Sequence, residues 1–415
     1  MRRFLLTILI ASILTLSQIS ARADAAPQAI AEMAKQQVPK YLETLQNLVS
    51  VESGSRDLEG LLKVRGLIEA KLKALDIPFE IIAAPSDSKA GSMVSATLKG
   101  KGTKRIALIA HMDTVYQRGD LAKQPFRIEG DKAFGLGIAD DKGGVAMVLH
   151  TLEMVKTLKI DGFGQLTVLF NGDEEIGSPV SRDYFTALGR ENDVVMSFEG
   201  SGTKADYVRL ATSSIARVLL KVKGRASHSG ANPDFGRNAL YELSHQVLQT
   251  RDLSDPSKGL KFNWTLGKAG SVANMIPSEA TATGDARAER TVDFDNLEAT
   301  LRERIKNKLI PDTEVSLDFT RTRPPLNPTD AARAVAKQAQ QVAAEIKWPL
   351  TVLEKATGGG TDAAFASLQA RGAVLESFGP QGFGAHSDNA EYILIPSIEP
   401  RLYITTRLIE EIAKP

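Results

Sequence analysis

Cysteine is absent from the 415 residues. That excludes a disulfide framework and a thiolate metal site, so any metal must be held by histidine and carboxylate. Histidine is scarce too, with five in the chain, and each can be weighed singly. Charge of one sign is also lacking: 51 Lys and Arg stand against 50 Asp and Glu, a formal net charge of +1. Such a balance argues against nucleic acid as a partner. No internal repeat or low-complexity tract is present, and beyond residue 23 no stretch is apolar enough to span a membrane.

The one pronounced apolar run lies at the start. Met1-Arg2-Arg3, apolar residues 4–16 and then Ala21-Arg22-Ala23 have the charged, apolar and small-residue parts of a secretory signal peptide. Cleavage after Ala23 and a periplasmic or secreted mature chain are expected, with no stable membrane span after signal cleavage. Removing the leader takes away Arg2, Arg3 and Arg22 and no acid, which leaves a small net negative charge.

What remains, roughly 390 residues, exceeds what one hydrophobic core serves, so two domains are expected. Residues 30–51 and 58–75 carry apolar side chains at helical spacing. Compact apolar runs at 105–110, 165–170 and 193–198 read as buried strands, with a helical crossover at 143–158. This is an α/β pattern, a mostly parallel mixed sheet flanked by helices. Near Thr212 the texture changes to a β-α-β-β-α-β order: strands at 215–224, 261–266, 279–287 and 313–321, helices at 238–250 and 294–308. That predicts an inserted α+β domain at 213–324, one antiparallel sheet with two helices, ended by the Pro-rich stretch 323–328. The first catalytic part then covers 24–212 and the second 325–415.

Four predicted strand ends and one glycine-rich turn carry a histidine or carboxylate. His111 and Asp113 follow the strand 105–110, where open α/β sheets place ligands. Gly135-Leu-Gly-Ile-Ala-Asp140-Asp141 lacks the third glycine of a dinucleotide loop and puts acids where phosphate would be repelled. It reads better as a tight turn presenting Asp140 as a ligand; a plain Asp helix cap is the bland alternative. Asp173-Glu174-Glu175 would be self-repelling without a cation. Glu199 and His386 follow the runs 194–198 and 373–377. Together they describe a metal centre, with one spare carboxylate to act as base.

The segments His111-Met-Asp113-Thr-Val, Gly137-Ile-Ala-Asp140-Asp141-Lys142, Asp173-Glu174-Glu175-Ile-Gly-Ser178, Phe198-Glu199 and Gly384-Ala-His386-Ser-Asp resemble the M20 family of zinc exopeptidases and deacylases. The resemblance runs over the mature chain and is strongest to the family's glutamate-cleaving branch. It implies two Zn2+ ions per subunit bridged by Asp140, one completed by His111 and Glu199, the other by Glu175 and His386. It makes Glu174 the general base, has Asp113 orient His111, and implies that the Asp140-Asp141 peptide is often cis. It further implies a homodimer in which His228 reaches the partner's active site, with Asn274 and Arg287 anchoring the substrate; the run Gly358-Gly359-Gly360 would let the backbone come close to that substrate, a flexible loop being the bland alternative. That substrate would be a small molecule or short peptide, cut at a C-terminal amino acid, glutamate first. A dipeptidase, amidohydrolase or deacylase, and a non-catalytic binding protein, are the alternatives. One departure stands out: Tyr207 occupies a position that is basic in the glutamate-cleaving branch, with Arg209 two residues on. His150 and His245 read as structural.

Overall fold

A computed structural model describes residues 27–387 and 390–414. The leader at 1–23, together with Asp388 and Asn389 of the last motif, lies outside the described residues. The described chain divides into two compact units. One holds the chain up to Arg209 together with Thr329–Val352 and from Gln369 onward; the other holds Leu210–Pro328 and Leu353–Leu368.

The first unit opens with a helix at 27–49, which buries Ile30, Ala34, Gln37, Tyr41, Leu45 and Leu48 along one side. Helix Leu58–Ala74 follows, capped by the Asp57 carboxylate on the Gly60 N–H, with Glu59 in its first turn and Lys71 and Lys73 in its last. The central sheet has six strands in the order Phe79–Ile82, Met93–Lys99, Gln165–Asn171, Arg105–His111, Val194–Ser197, Ala373–Leu375. The last four pair in parallel; the first two join antiparallel at one edge. Arg105–His111 and Gln165–Asn171 are almost wholly buried, as strands covered on both faces must be. Helix Gly143–Thr157 is buried nearly all round.

Reading 30–75 as two helices gave no strand at 79–82 or 93–99. Phe79–Ile82 is half exposed and Met93–Lys99 carries Ser95 and Thr97, so neither is a compact apolar run. A second, five-stranded sheet of very short strands was also not foreseen: Arg127–Glu129, Lys132–Phe134, Tyr392–Leu394, Gln381–Phe383 and Ser201–Gly202. His386 therefore follows Gln381–Phe383 rather than the strand at 373–375.

The second unit is built on an antiparallel sheet ordered Lys261–Ala269, Glu279–Ala288, Ser214–Lys223, Glu314–Arg323. Ser214–Lys223 alternates buried and exposed residues, and its inner face, Ala216, Val218, Leu220 and Val222, shares one core with Leu243, Phe294, Leu297 and Leu301 of helices Ala239–Gln249 and Thr291–Arg304. Residues 353–368, assigned by sequence to the last catalytic segment, group here instead. Arg323 pairs with Asp362, Arg287 donates to the Gly358 carbonyl, and the Ser213 N–H donates to Gly359.

Candidate metal centre and active site

Register brings the acids and histidines together. His111 ends its strand opposite Asn171, so the segments that follow both strands emerge at one end of the sheet. Met112 then donates its N–H to the Asn171 carbonyl. Nδ1 of the buried His111 ring lies 3.0 Å from the Asp113 carbonyl oxygen and 3.4 Å from Asp113 Oδ1, which leaves Nε2 facing Asp140 Oδ1 at 3.0 Å. The Asp113 carboxylate does more than flank the ring. Oδ1 accepts the Glu174 N–H at 3.1 Å; Oδ2 accepts the Glu175 N–H at 3.1 Å and the Ser55 hydroxyl at 2.7 Å. Being fully buried, it locks the turn that presents both glutamates.

The acidic triplet at 173–175 divides its work. Asp173 turns inward and accepts from the Val180 and Ser181 N–H groups and the Ser181 hydroxyl. Glu174 is buried, and Glu175 Oε2 reaches His386 Nε2 at 3.3 Å.

Asp140 sits in the irregular turn Ile138–Lys142, entered through Gly137 at φ 71. A side chain at Gly137 would bring its Cβ to 2.4 Å from Thr114 Cγ2. The Asp140-Asp141 peptide is cis. Helix capping falls to Asp141, whose Oδ1 accepts the Gly144 N–H and Oδ2 the His111 N–H, each at 3.2 Å; Asp140 is left to face the site. Its Oδ2 lies 3.3 Å from His386 Nε2, so its two oxygens face two different imidazoles. Ligand atoms of Asp140, Glu175 and His386 all fall within 4.8 Å of one another.

The electrostatics are those of buried carboxylates and imidazoles crowded together. Burial first, then the Asp140 charge, pushes Glu175 up to about 7. Burial, Glu376, Glu174 and Asp140 hold Glu199 well above the usual carboxylate range. Burial works against Asp140 as well, but the imidazoles of His111 and His386 hold it below that range. Hydrogen bonds to Asp140 and Glu175 carry His386 up to about 10. Glu175 Oε1 is buried with no hydrogen-bond partner among the described residues, an expensive arrangement unless a ligand completes it.

Residues 107–411 match the profile described as peptidase family M20/M25/M40. The chain belongs to that family. It is a hydrolase of the M20 type, and it is 44% identical over 382 residues, 92% of this chain and 91% of the other, to carboxypeptidase G2 of Pseudomonas sp. (strain RS-16). The fold is shared with a tripeptidase from Staphylococcus aureus (TM-score 0.75, 18% identity, covering 91% of this chain and 99% of that one). It is shared too with a Bacillus subtilis protein described as a dinuclear metal-binding peptidase of family M20 (TM-score 0.64, 15% identity, covering 91% and 98%).

The other residues that the M20 resemblance singled out lie in the second unit. His228 is exposed on the short strand Ser227–His228, and its Nδ1 accepts the Gly230 and Ala231 N–H groups at 3.2 and 3.1 Å. The neutral ring therefore carries its proton on Nε2. Asn274 is exposed, its carbonyl accepting from the Ser229 N–H. Arg287 is held by Asp285 at 2.9 Å and by the Gly358 carbonyl at 2.6 Å. Gly360 is pressed against Ile215 and Arg323, whereas a Cβ at Gly359 would meet nothing. In the first unit Arg209 stacks on the Tyr207 ring at 4.5 Å and donates to its hydroxyl at 2.6 Å. His150 bonds to Gln37 and Thr44, and His245 to the Asn307 carbonyl, as structural residues would. Glu391 is not among the residues that the sequence singles out; it is fully buried against the Asp140 turn, and nothing in its sequence context signals that.

Proposed function

We propose that this hydrolase is an exported, zinc-dependent carboxypeptidase that removes a C-terminal amino acid, glutamate foremost, from short peptides, N-acyl amino acids or folate-like pteroylglutamates. One observation carries the metal reading: the oxygens of Asp140 face His111 at 3.0 Å and His386 at 3.3 Å, the disposition a carboxylate needs to serve two cations at once. Imidazole nitrogens and carboxylate oxygens without sulfur suit zinc and its neighbours, and the orphaned Glu175 Oε1 offers a further donor. His111, Asp140 and Glu199 would hold one ion, and Asp140, Glu175 and His386 the other. When bound, such ions polarise a carbonyl group and acidify water towards neutrality.

The remaining chemistry belongs to the chain. Glu174 takes the proton of the attacking water and passes it to the leaving amine. Asp113 keeps that base in place through the Glu174 N–H. Arg287 offers a planar fork to the substrate's α-carboxylate, and the backbone at Gly359 and Gly360 and the side chain of Asn274 also serve in binding. His228, with its proton on Nε2, serves the active site of the partner subunit in a homodimer. The apolar run at 4–16 supports export to the periplasm or medium, and among the described residues no helix is long and apolar enough to cross a membrane.

Metal analysis of the purified protein combined with a panel of N-acyl amino acids differing in the C-terminal residue tests the reading. Two zinc equivalents, chelator-sensitive turnover and fastest release of glutamate are expected. Faster cleavage of free dipeptides or of acetylated and succinylated amines would move the activity elsewhere in the family. Bound zinc with no turnover of any panel member would make the chain a binding protein.

A further inference from the structure

Glu391 has an environment that no catalytic task explains. Its side chain is fully buried, yet four donors converge on the one carboxylate. Oε1 accepts the N–H groups of Ala139 at 2.8 Å and Asp140 at 3.2 Å, and Oε2 accepts the Gly137 N–H at 2.9 Å and the Tyr116 hydroxyl at 2.5 Å. Three of the four belong to the turn that carries Asp140. A run of backbone N–H groups aimed at one anion is a nest, and hydrogen bonds to an ionised acceptor are about twice as strong as neutral ones.

The fourth donor reaches the other side of the metal centre. The Tyr116 hydroxyl lies 2.8 Å from the Ser387 carbonyl oxygen, next in chain to His386, and shares its single proton between that carbonyl and Glu391. His386 itself is at φ 63, a left-handed conformation that a non-glycine residue keeps only when its surroundings impose it. Gly384, at φ 83, passes so close that a Cβ there would sit 2.4 Å from the Ala390 carbonyl oxygen and 3.0 Å from the Glu391 Cα. The Glu391 backbone is fastened as well, its carbonyl accepting from the Gly135 N–H and the Gln124 amide.

We infer that Glu391 is a positioning residue: through the N–H groups at 137–140, and through Tyr116 to Ser387, its carboxylate sets Asp140 and His386 at the separation that metal binding requires. The inference rests on the metal reading above. Asp140 Oδ2 and His386 Nε2 lie 3.3 Å apart although the residues belong to separate turns, and Glu391 with Tyr116 ties those turns together. Glutamine at this site is nearly isosteric but carries one acceptor oxygen and one NH2 group. Either the Ala139–Asp140 pair or the Gly137–Tyr116 pair would then face a donor.

The test compares wild type, Glu391→Gln and Tyr116→Phe. Each is stripped of metal, and zinc affinity is measured by competition with a chelator of known affinity, alongside thermal midpoints with and without zinc. Changes in residues that orient metal ligands cost about 10–100-fold in metal affinity. That loss is expected for Glu391→Gln, with a smaller rise in midpoint on adding zinc; for Tyr116→Phe the loss should be about tenfold. Glu391→Gln protein with a lower metal-free midpoint but wild-type zinc affinity would make the residue a packing element and overturn the inference. Should that variant fail to fold, unchanged zinc affinity in Tyr116→Phe overturns it equally. Failure of the wild type itself to bind zinc would instead overturn the metal reading.

Discussion

His150 allows a stability prediction worked from geometry, independent of the metal centre. The ring is completely buried between the helix at 27–49 and its own helix, Gly143–Thr157. Gln37 gives its amide N–H to Glu153, so its Oε1, 2.7 Å away, accepts from His150 Nδ1, while the Thr44 hydroxyl donates to Nε2 at 2.9 Å. The neutral ring is satisfied on both sides. Burial first, and the Lys71 ammonium next, pull its pKa down to about 3, against about 6.5 in an unfolded chain. The folded value is depressed, so below pH 6.5 the unfolded chain takes up a proton that the folded chain refuses. Stability from this group is complete above that pH and drains away as pH falls towards the folded value. One pKa unit corresponds to about 1.4 kcal/mol, so the loss by pH 5 is about 2 kcal/mol. Urea unfolding of chelator-treated wild type and His150→Gln at pH 7 and pH 5 reads it directly. The wild type should lose about 2 kcal/mol more than the variant between the two pH values; parallel losses would refute the reasoning.

Three further outcomes follow from the site. Glu174→Gln should keep the wild-type metal content while turnover falls by about two to four powers of ten; near-normal turnover removes Glu174 from the chemistry. Asp113→Asn places an amine against a backbone N–H or the His111 ring and should weaken metal binding about 10–100-fold and stability by about 1–3 kcal/mol, read by chelator competition and urea midpoints. Mixing His228→Ala with Glu174→Gln subunits should restore partial activity, because one hybrid site is intact. No recovery after proven subunit exchange counts against His228 acting across an interface.

The elements legible in the sequence were those whose burial writes a pattern. The apolar run at 105–110 appears as the strand Arg105–His111, and the alternation after Thr212 appears as Ser214–Lys223. Strands of two or three residues in the small sheet carry too few side chains to show a period, so the sequence does not reveal Gln381–Phe383, the strand that His386 follows. At the site, residue types at strand ends were readable, but their division of labour was not. Asp141 rather than Asp140 caps the helix, and Asp173 turns away from its neighbours, because backbone N–H groups decide both. Glu391 stayed silent for the same reason: three of its four donors are main-chain groups about 250 residues earlier.

The central sheet is finished by its last-made strand. Ala373–Leu375 pairs with Val194–Ser197 only after the whole intervening unit has been synthesised, and the same late segment brings His386 and the buried helix Ile398–Ile412. Until then the nascent chain carries an open parallel edge at Val194–Ser197, a template for pairing with the wrong strand. A chain cut short before residue 373 therefore has an unsealed sheet and lacks His386, a ligand of the proposed metal centre. On the proposed ligand set, metal uptake would therefore require residues on both sides of the intervening unit.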